Sequence, residues 1–280
     1  MNDSSTEGIS RHRSDRFSSL LPWLSLPLLA LTLVAFLPAA PGGLLGKTAL
    51  VGYAVCHQIP SHSFSLAGRQ LPLCARCTGT FLGALVGLFG QGVVLRRPRA
   101  AEFPPPRILA LLLCFTVAWA LDGLNSYLDL LGQPHVYEPR NALRLITGTM
   151  NGLTISALVF PLLNVTLWRH PAQEPALRRS LHLGVLLLCE ISLVVLVLSR
   201  RDILVYPLAL LSAAGVLTLL TSVNSVIALI LLRRENTAET WRQSIGPISV
   251  GLVLSLVQIG LIDGIRFVLT GTMEGFPPLH

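Results

Sequence analysis

Between Ser180 and Leu232 the only charged side chains are Glu190, Arg200, Arg201 and Asp202, and nearly everything else is aliphatic. No water-soluble fold buries two consecutive runs of that length. Crossing a hydrocarbon core of roughly 30 Å takes about 20 mostly apolar helical residues. Runs of that kind, bounded by charges, Pro or Gly, appear at 20–40, 78–95, 107–131, 142–168, 180–199, 202–232 and 244–270. The runs are continuous and Leu-rich, without the polar and apolar alternation of barrel strands. In lipid every backbone polar group must be satisfied within the segment, which leaves helices. The fold class expected is therefore all-α, a polytopic transmembrane bundle of about seven helices, or six if the short, Gly-rich second run does not span. A composition that is 52% hydrophobic and 12% charged agrees with a lipid solvent.

The distribution of basic residues orients the bundle, since cytoplasmic connections hold an excess of Lys and Arg. Thirteen of the 21 Lys and Arg fall before the first run (Arg11, Arg13, Arg16) and after the second (Arg96, Arg97, Arg99, Arg107), fourth (Arg169, Arg178, Arg179) and sixth (Arg233, Arg234, Arg242). Seven fall on the other connections, so the N-terminus is expected in the cytoplasm and the C-terminus outside. The net charge of +7 is then a topology signal rather than a nucleic-acid signal. No basic, aromatic-interleaved stretch suits nucleic acid. Residues 1–18 read as a disordered cytoplasmic tail, 19–168 as a membrane core with an extracytoplasmic Cys/His loop at 41–77, and 169–280 as additional transmembrane helices. The first run reads as a retained anchor rather than a cleaved signal, because Pro38 and Pro41 flank the candidate cut at Ala39-Ala40. The expected location is a plasma membrane of bacterial inner-membrane type.

The chemistry concentrates in the connection between the first two runs, which carries Cys56-His57-Gln58 and then Cys74-Ala75-Arg76-Cys77. Cys74 and Cys77 have the spacing with which two thiolates grip one metal ion, and Cys56 with His57 completes a four-ligand set suited to Zn²⁺. A Cys-x-x-Cys pair opening a helix is equally suited to thiol redox chemistry, with the thiolate favoured by the helix N-terminus and Arg76. A disulfide that merely staples the loop is the third reading, and it leaves one cysteine over. Cys114 and Cys189 read as buried apolar helix residues.

A second group of polar residues maps to the same side. Asp122, Asn125 and Asp129 follow i, i+3, i+7 spacing on one helical face. An intramembrane Asp is costly and so a candidate for function. Arg140, Asn141 and Arg144 enter the next run, and arginines at this depth suit an anionic ligand, either a small molecule or a lipid. Asp263 and Arg266 occupy the matching end of the last run. Asp122 and Arg144 are the candidates for a catalytic role, and Arg76, Asp122, Asn125, Arg140, Asn141, Arg144, Asp263 and Arg266 for ligand binding. Glu190, mid-membrane, would serve a transporter or channel if it lines water, and a buried acid paired across helices is the more economical reading. Walker A, dinucleotide-glycine, zinc-protease and nucleophile-elbow patterns are absent from the sequence.

Cys56-His57-Gln58, Gly68, and Leu71-Pro72-Leu73-Cys74-Ala75-Arg76-Cys77-Thr78-Gly79 resemble a bacterial family of predicted integral membrane proteins known only as domain of unknown function 2085. Leu121-Asp122-Gly123 and the set Asn141, Arg144, Thr147 and Gly148 look like the same family, so the resemblance covers about residues 50–155. It implies a membrane protein and brings no activity with it.

Overall fold

A computed structural model describes residues 26–32, 34 and 43–273. The expected tail over 1–18 lies outside the described residues. Of the expected first span only 26–32 and 34 are described, as helix, with Leu26, Leu28, Leu31 and Val34 exposed. The helices that follow are α1 (Gly43–Val55), α2 (Ala75–Phe89, continued by a π turn over Gly90–Val94), α3 (Pro106–Leu130), α4 (Asn141–Leu167), α5 (Ser180–Leu198), α6 (Val205–Leu231) and α7 (Trp241–Thr270). Six of the described helices, α2 to α7, are long and apolar enough to cross a membrane. The architecture is the expected all-α polytopic bundle.

The second span, short and rich in glycine, is the centre of the molecule. α2 and α4 pack against each other along their whole length, and the glycines are the reason. A Cβ built on Gly83 would sit 2.6 Å from the Thr149 carbonyl oxygen, and one on Gly152 would sit 2.7 Å from the Ala84 nitrogen. Small residues let helix backbones meet where lipid supplies no hydrophobic drive between helices. α3 flanks α4, α5 covers the α2/α4 pair, and α6 contacts α1, α2 and α4, with α7 on α6 and α1. Leu111, Leu113, Val117, Leu121 and Leu124 on α3, and Leu254, Val257, Leu261 and Ile265 on α7, are exposed. Such stripes suit acyl chains and would be a liability in water.

Of the segment 41–77, expected as an extracytoplasmic loop, residues 43–77 are described, and they form a helix and a hairpin with Val51, Phe64, Leu71 and Leu73 buried. α1 inserts Val51 into a cluster with Ala213, Val216 and Ile259 of α6 and α7. β1 (Ser63–Leu66) and β2 (Arg69–Cys74) form an antiparallel hairpin. Its turn places Ala67 and Gly68 at φ of 50° and 70°, the pair of positive angles that a two-residue hairpin turn demands. The apolar residues Phe64, Leu66 and Leu71 bury against Val197, Val205 and Leu208. An extended piece with that alternation cannot remain a solvated loop, and α5 and α6, from the additional helices, form the surface that receives it.

The opposite end of the bundle holds the Arg-rich connections. There β3 (Ala100–Glu102) pairs in parallel with β4 (Ala172–Pro175), Arg97 meets Glu174 at 2.6 Å, and Arg169 pairs with Glu239.

Candidate functional site

β2 ends at Cys74, which serves as the N-cap of α2, so the chain turns from strand to helix at that residue. The Cys77 N–H, one turn into the helix, donates to Cys74 Sγ at 3.5 Å. Cys56 arrives from the end of α1, and its Sγ accepts the N–H groups of Cys74 at 3.2 Å and Gln58 at 3.5 Å. The sulfurs of Cys56, Cys74 and Cys77 all lie within 4.8 Å of one another. Thiol hydrogen bonds from Cys74, then Cys77, hold Cys56 far below the ordinary range, and donation to Cys56 raises Cys74. All five cysteines are free; Cys189 is half-buried and Cys114 is exposed on α3, not buried as expected.

His57 falls outside this set of donor atoms. Its Nε2 is buried without a hydrogen-bond partner, and its ring meets that of His62 edge-on at 5.6 Å. Burial, first, and then Arg76, Arg144 and Arg266 lower its pKa, against the pull of Cys56. Burial first and Arg144 next bring His62 down to about 4. Gln58, the third residue of the Cys-His-Gln motif, is a clamp: its Nε2 donates to the carbonyls of Ala49 at 2.9 Å and Pro72 at 2.8 Å. It takes a φ of 54° to do so.

Arg266 is brought to the thiol site from α7, but as a brace. Its Nη1 donates to the carbonyls of Cys56 at 2.6 Å and Tyr53, its Nη2 reaches the His57 carbonyl at 3.4 Å, and its guanidinium lies 3.9 Å over the Tyr53 ring. Asp263 is buried with Oδ1 unpartnered, away from the Asp122 network.

That network joins α2, α3 and α4 one layer away. Arg76 Nη2 donates to Asp122 Oδ2 at 2.6 Å and its Nε to the same oxygen at 3.2 Å, with further bonds to the Asp122 carbonyl and Ser126 Oγ. Tyr137 OH donates to Asp122 Oδ1 at 2.9 Å, and Thr147 Oγ1 reaches Oδ2 at 3.4 Å. Burial, then the Asp122 hydrogen bond, raises the Tyr137 phenol to about 12. Arg144, 4% exposed, donates to Ser126 Oγ at 3.3 Å and Asn141 Oδ1 at 2.8 Å. Asn141 Nδ2 in turn donates to the carbonyls of Ser61 at 3.1 Å and Ser63 at 3.3 Å.

Asn125 holds the loop before α4 in place, with Nδ2 donating to the Tyr137 carbonyl and Oδ1 accepting the Val136 N–H, both at 2.8 Å. Asp129 leaves that set and meets His135 at 3.9 Å on the surface. Arg140 is exposed and makes no side-chain hydrogen bond among the described residues. Ser126 and Tyr137 were not anticipated, although Ser126 stands one turn from Asp122 on the same helical face.

The family model described as Predicted membrane protein (DUF2085) matches residues 56–158. An uncharacterized protein of Methanothermobacter thermautotrophicus is 32% identical over 104 residues, which cover 83% of that protein and 37% of this chain. The chain belongs to the DUF2085 family. A second uncharacterized relative, from Methanocaldococcus jannaschii, is 31% identical over 108 residues, and the chain spans 63% of its length, with 39% of this chain in the match. Both relatives are archaeal. No solved structure matches the chain. The DUF2085 match contains Cys56, Cys74, Cys77, Arg76, Asp122 and Arg144 together, whereas Arg266 lies beyond it.

Proposed function

We propose that this membrane protein holds a thiophilic divalent ion, Zn²⁺, on Cys56, Cys74 and Cys77, beside an Arg76, Asp122 and Arg144 network that receives an anionic group. The observation that carries the reading is the convergence of three sulfurs within 4.8 Å, two of which accept backbone N–H groups. Such N–H donors favour thiolates, the form that binds metal, and three sulfurs from two separate chain segments are a donor set that borderline-soft Zn²⁺ accepts. The ion, when bound, ties the end of α1 to the start of α2. Three sulfurs leave one tetrahedral position: His57 would close the site as structural, and a non-protein ligand would leave it open for Lewis-acid chemistry. An open position beside an anion receptor fits a lipid or cell-envelope substrate. The excess of Arg on the opposite connections supports an extracytoplasmic placement of this end, in a plasma membrane.

A thiol-disulfide oxidoreductase is the second reading, favoured by the position of Cys74 at the cap of α2 with Cys77 half-buried one turn on. Transport is the third, favoured by Glu190, whose two carboxyl oxygens are buried without partners.

Elemental analysis of detergent-purified protein, with a denatured thiol count in the absence of reductant, separates the first two. One metal per chain with free thiols, lost in Cys74→Ser, is expected. Absence of metal with two thiols missing would overturn the metal reading in favour of a redox centre.

A further inference from the structure

Arg144 is buried, yet its guanidinium meets only neutral acceptors, Ser126 Oγ and Asn141 Oδ1. The carboxylate nearest in the network is already taken: Asp122 Oδ2 accepts Arg76 twice, and Oδ1 accepts Tyr137. No carboxylate lies within ion-pair distance of Arg144 among the described residues. Two arginines and one aspartate leave the network with a positive charge in excess. Asp122, Cys74 and Asp129 offset the Arg144 charge only from beyond ion-pair distance, and burying a charge without a close partner is costly.

The surroundings show where a counter-charge would sit. Asn141 carries the contact from Arg144 to the carbonyls of Ser61 and Ser63, on either side of His62. His62 meets the His57 ring at 5.6 Å, and His57 Nε2 is buried with no partner. Both rings are half-buried, and the charge of Arg144 acts on each of them. We propose that Arg144, His57 and His62 form a subsite for a phosphate-type oxyanion, free or as the headgroup of a lipid. A carboxylate offers two oxygens, which an Arg fork satisfies alone. Imidazole N–H donors arriving from a separate chain segment suit a tetrahedral group with more oxygens to place.

This subsite rests on the reading of the arginine network as an anion receptor, and it assigns His57 to the anion rather than to the metal, whose donors are then the three sulfurs. The test is inorganic phosphate binding to the full chain in nanodiscs of neutral lipid, followed by calorimetry, with metal content measured on the same samples. Saturable binding is expected that sulfate competes and chloride does not, weakened at least tenfold in His62→Asn and abolished in Arg144→Gln, with metal content unchanged in His62→Asn. Nanodiscs doped with phosphatidic acid separate the sources: suppression of phosphate binding assigns the subsite to a lipid headgroup, and undiminished binding assigns it to free phosphate. Failure of the metal-loaded wild type to bind phosphate in neutral lipid and to retain phosphatidic acid overturns the subsite and leaves the metal reading standing. Phosphate binding that is equal in wild type and His62→Asn overturns it as well. Phosphate binding by a chain that holds no metal supports the subsite while the metal reading fails.

Discussion

Arg266 Nη1 lies 2.6 Å from the carbonyl oxygen of Cys56, so the last helix holds the backbone of the first cysteine. The contact is made by a planar fork that also spans Tyr53 and His57. A lysine ammonium is a point donor and cannot reproduce that span. Loss of one such charge-assisted bond costs about 1.5–3 kcal/mol, roughly tenfold or more in a local opening equilibrium. Arg266→Lys is therefore expected to raise the rate of Cys56 alkylation by about tenfold, read by mass spectrometry of the modified peptide. An unchanged rate would show that the brace does not hold Cys56.

Gly152 and Gly184 should respond oppositely to the same substitution. A Cβ at Gly152 meets the α2 backbone, whereas one at Gly184 meets nothing within 4 Å. Gly152→Ala is expected to cost about 1–3 kcal/mol by overpacking. Gly184→Ala should be neutral or slightly stabilising, as the helix propensity of Ala implies. Thermal unfolding in one detergent compares them, and equal Tm values would mean that the seam can yield.

Asp122 is 2% exposed and receives Arg76 through two bonds to one oxygen. Breaking one member of a buried pair costs about 3–5 kcal/mol because the other charge is stranded. Asp122→Asn and Arg76→Gln should each destabilise on that order, and the double variant should lose clearly less than the sum. Additive losses, measured by denaturant unfolding, would mean that the two residues act separately.

His62 makes stability depend on acid. Burial, then Arg144, His57 and Arg76, depress its pKa from 6.5 to about 4, against Asp129. The fold therefore accepts the neutral ring. Its contribution is whole above pH 6.5 and is lost as the pH falls towards about 4, since the unfolded chain takes up the proton first. His62→Asn should flatten the dependence of Tm on pH across that window. A slope equal to wild type would assign it to other groups.

The spanning helices were legible because lipid imposes one rule on every residue within it: the aliphatic runs around Leu186 and Leu219 permit little else. The thiols and the Asp122, Asn141 and Arg144 set were legible through spacing and helical face. What remained hidden depends on approach between distant segments. Nothing near Tyr137 announces that its hydroxyl reaches back 15 residues to Asp122. Arg266 stands 210 residues from Cys56, and its polar tip at the end of an apolar helix suits a ligand as well as a brace. The hairpin over 63–74 is too short, and too interrupted at Pro72, to stand out in the sequence. Only the surface that α5 and α6 present to Phe64 and Leu71 makes burial the favourable state.

The glycine seam between α2 and α4 bears on how a guest would be received. Arg76 rises from one of these helices and Arg144 from the other, and between the two backbones there are few side chains left to change rotamer. The spacing of the two guanidinium groups is thus decided when the chain folds, before any partner arrives. An incoming anion would meet charges already in place, with little reorganisation entropy set against its binding.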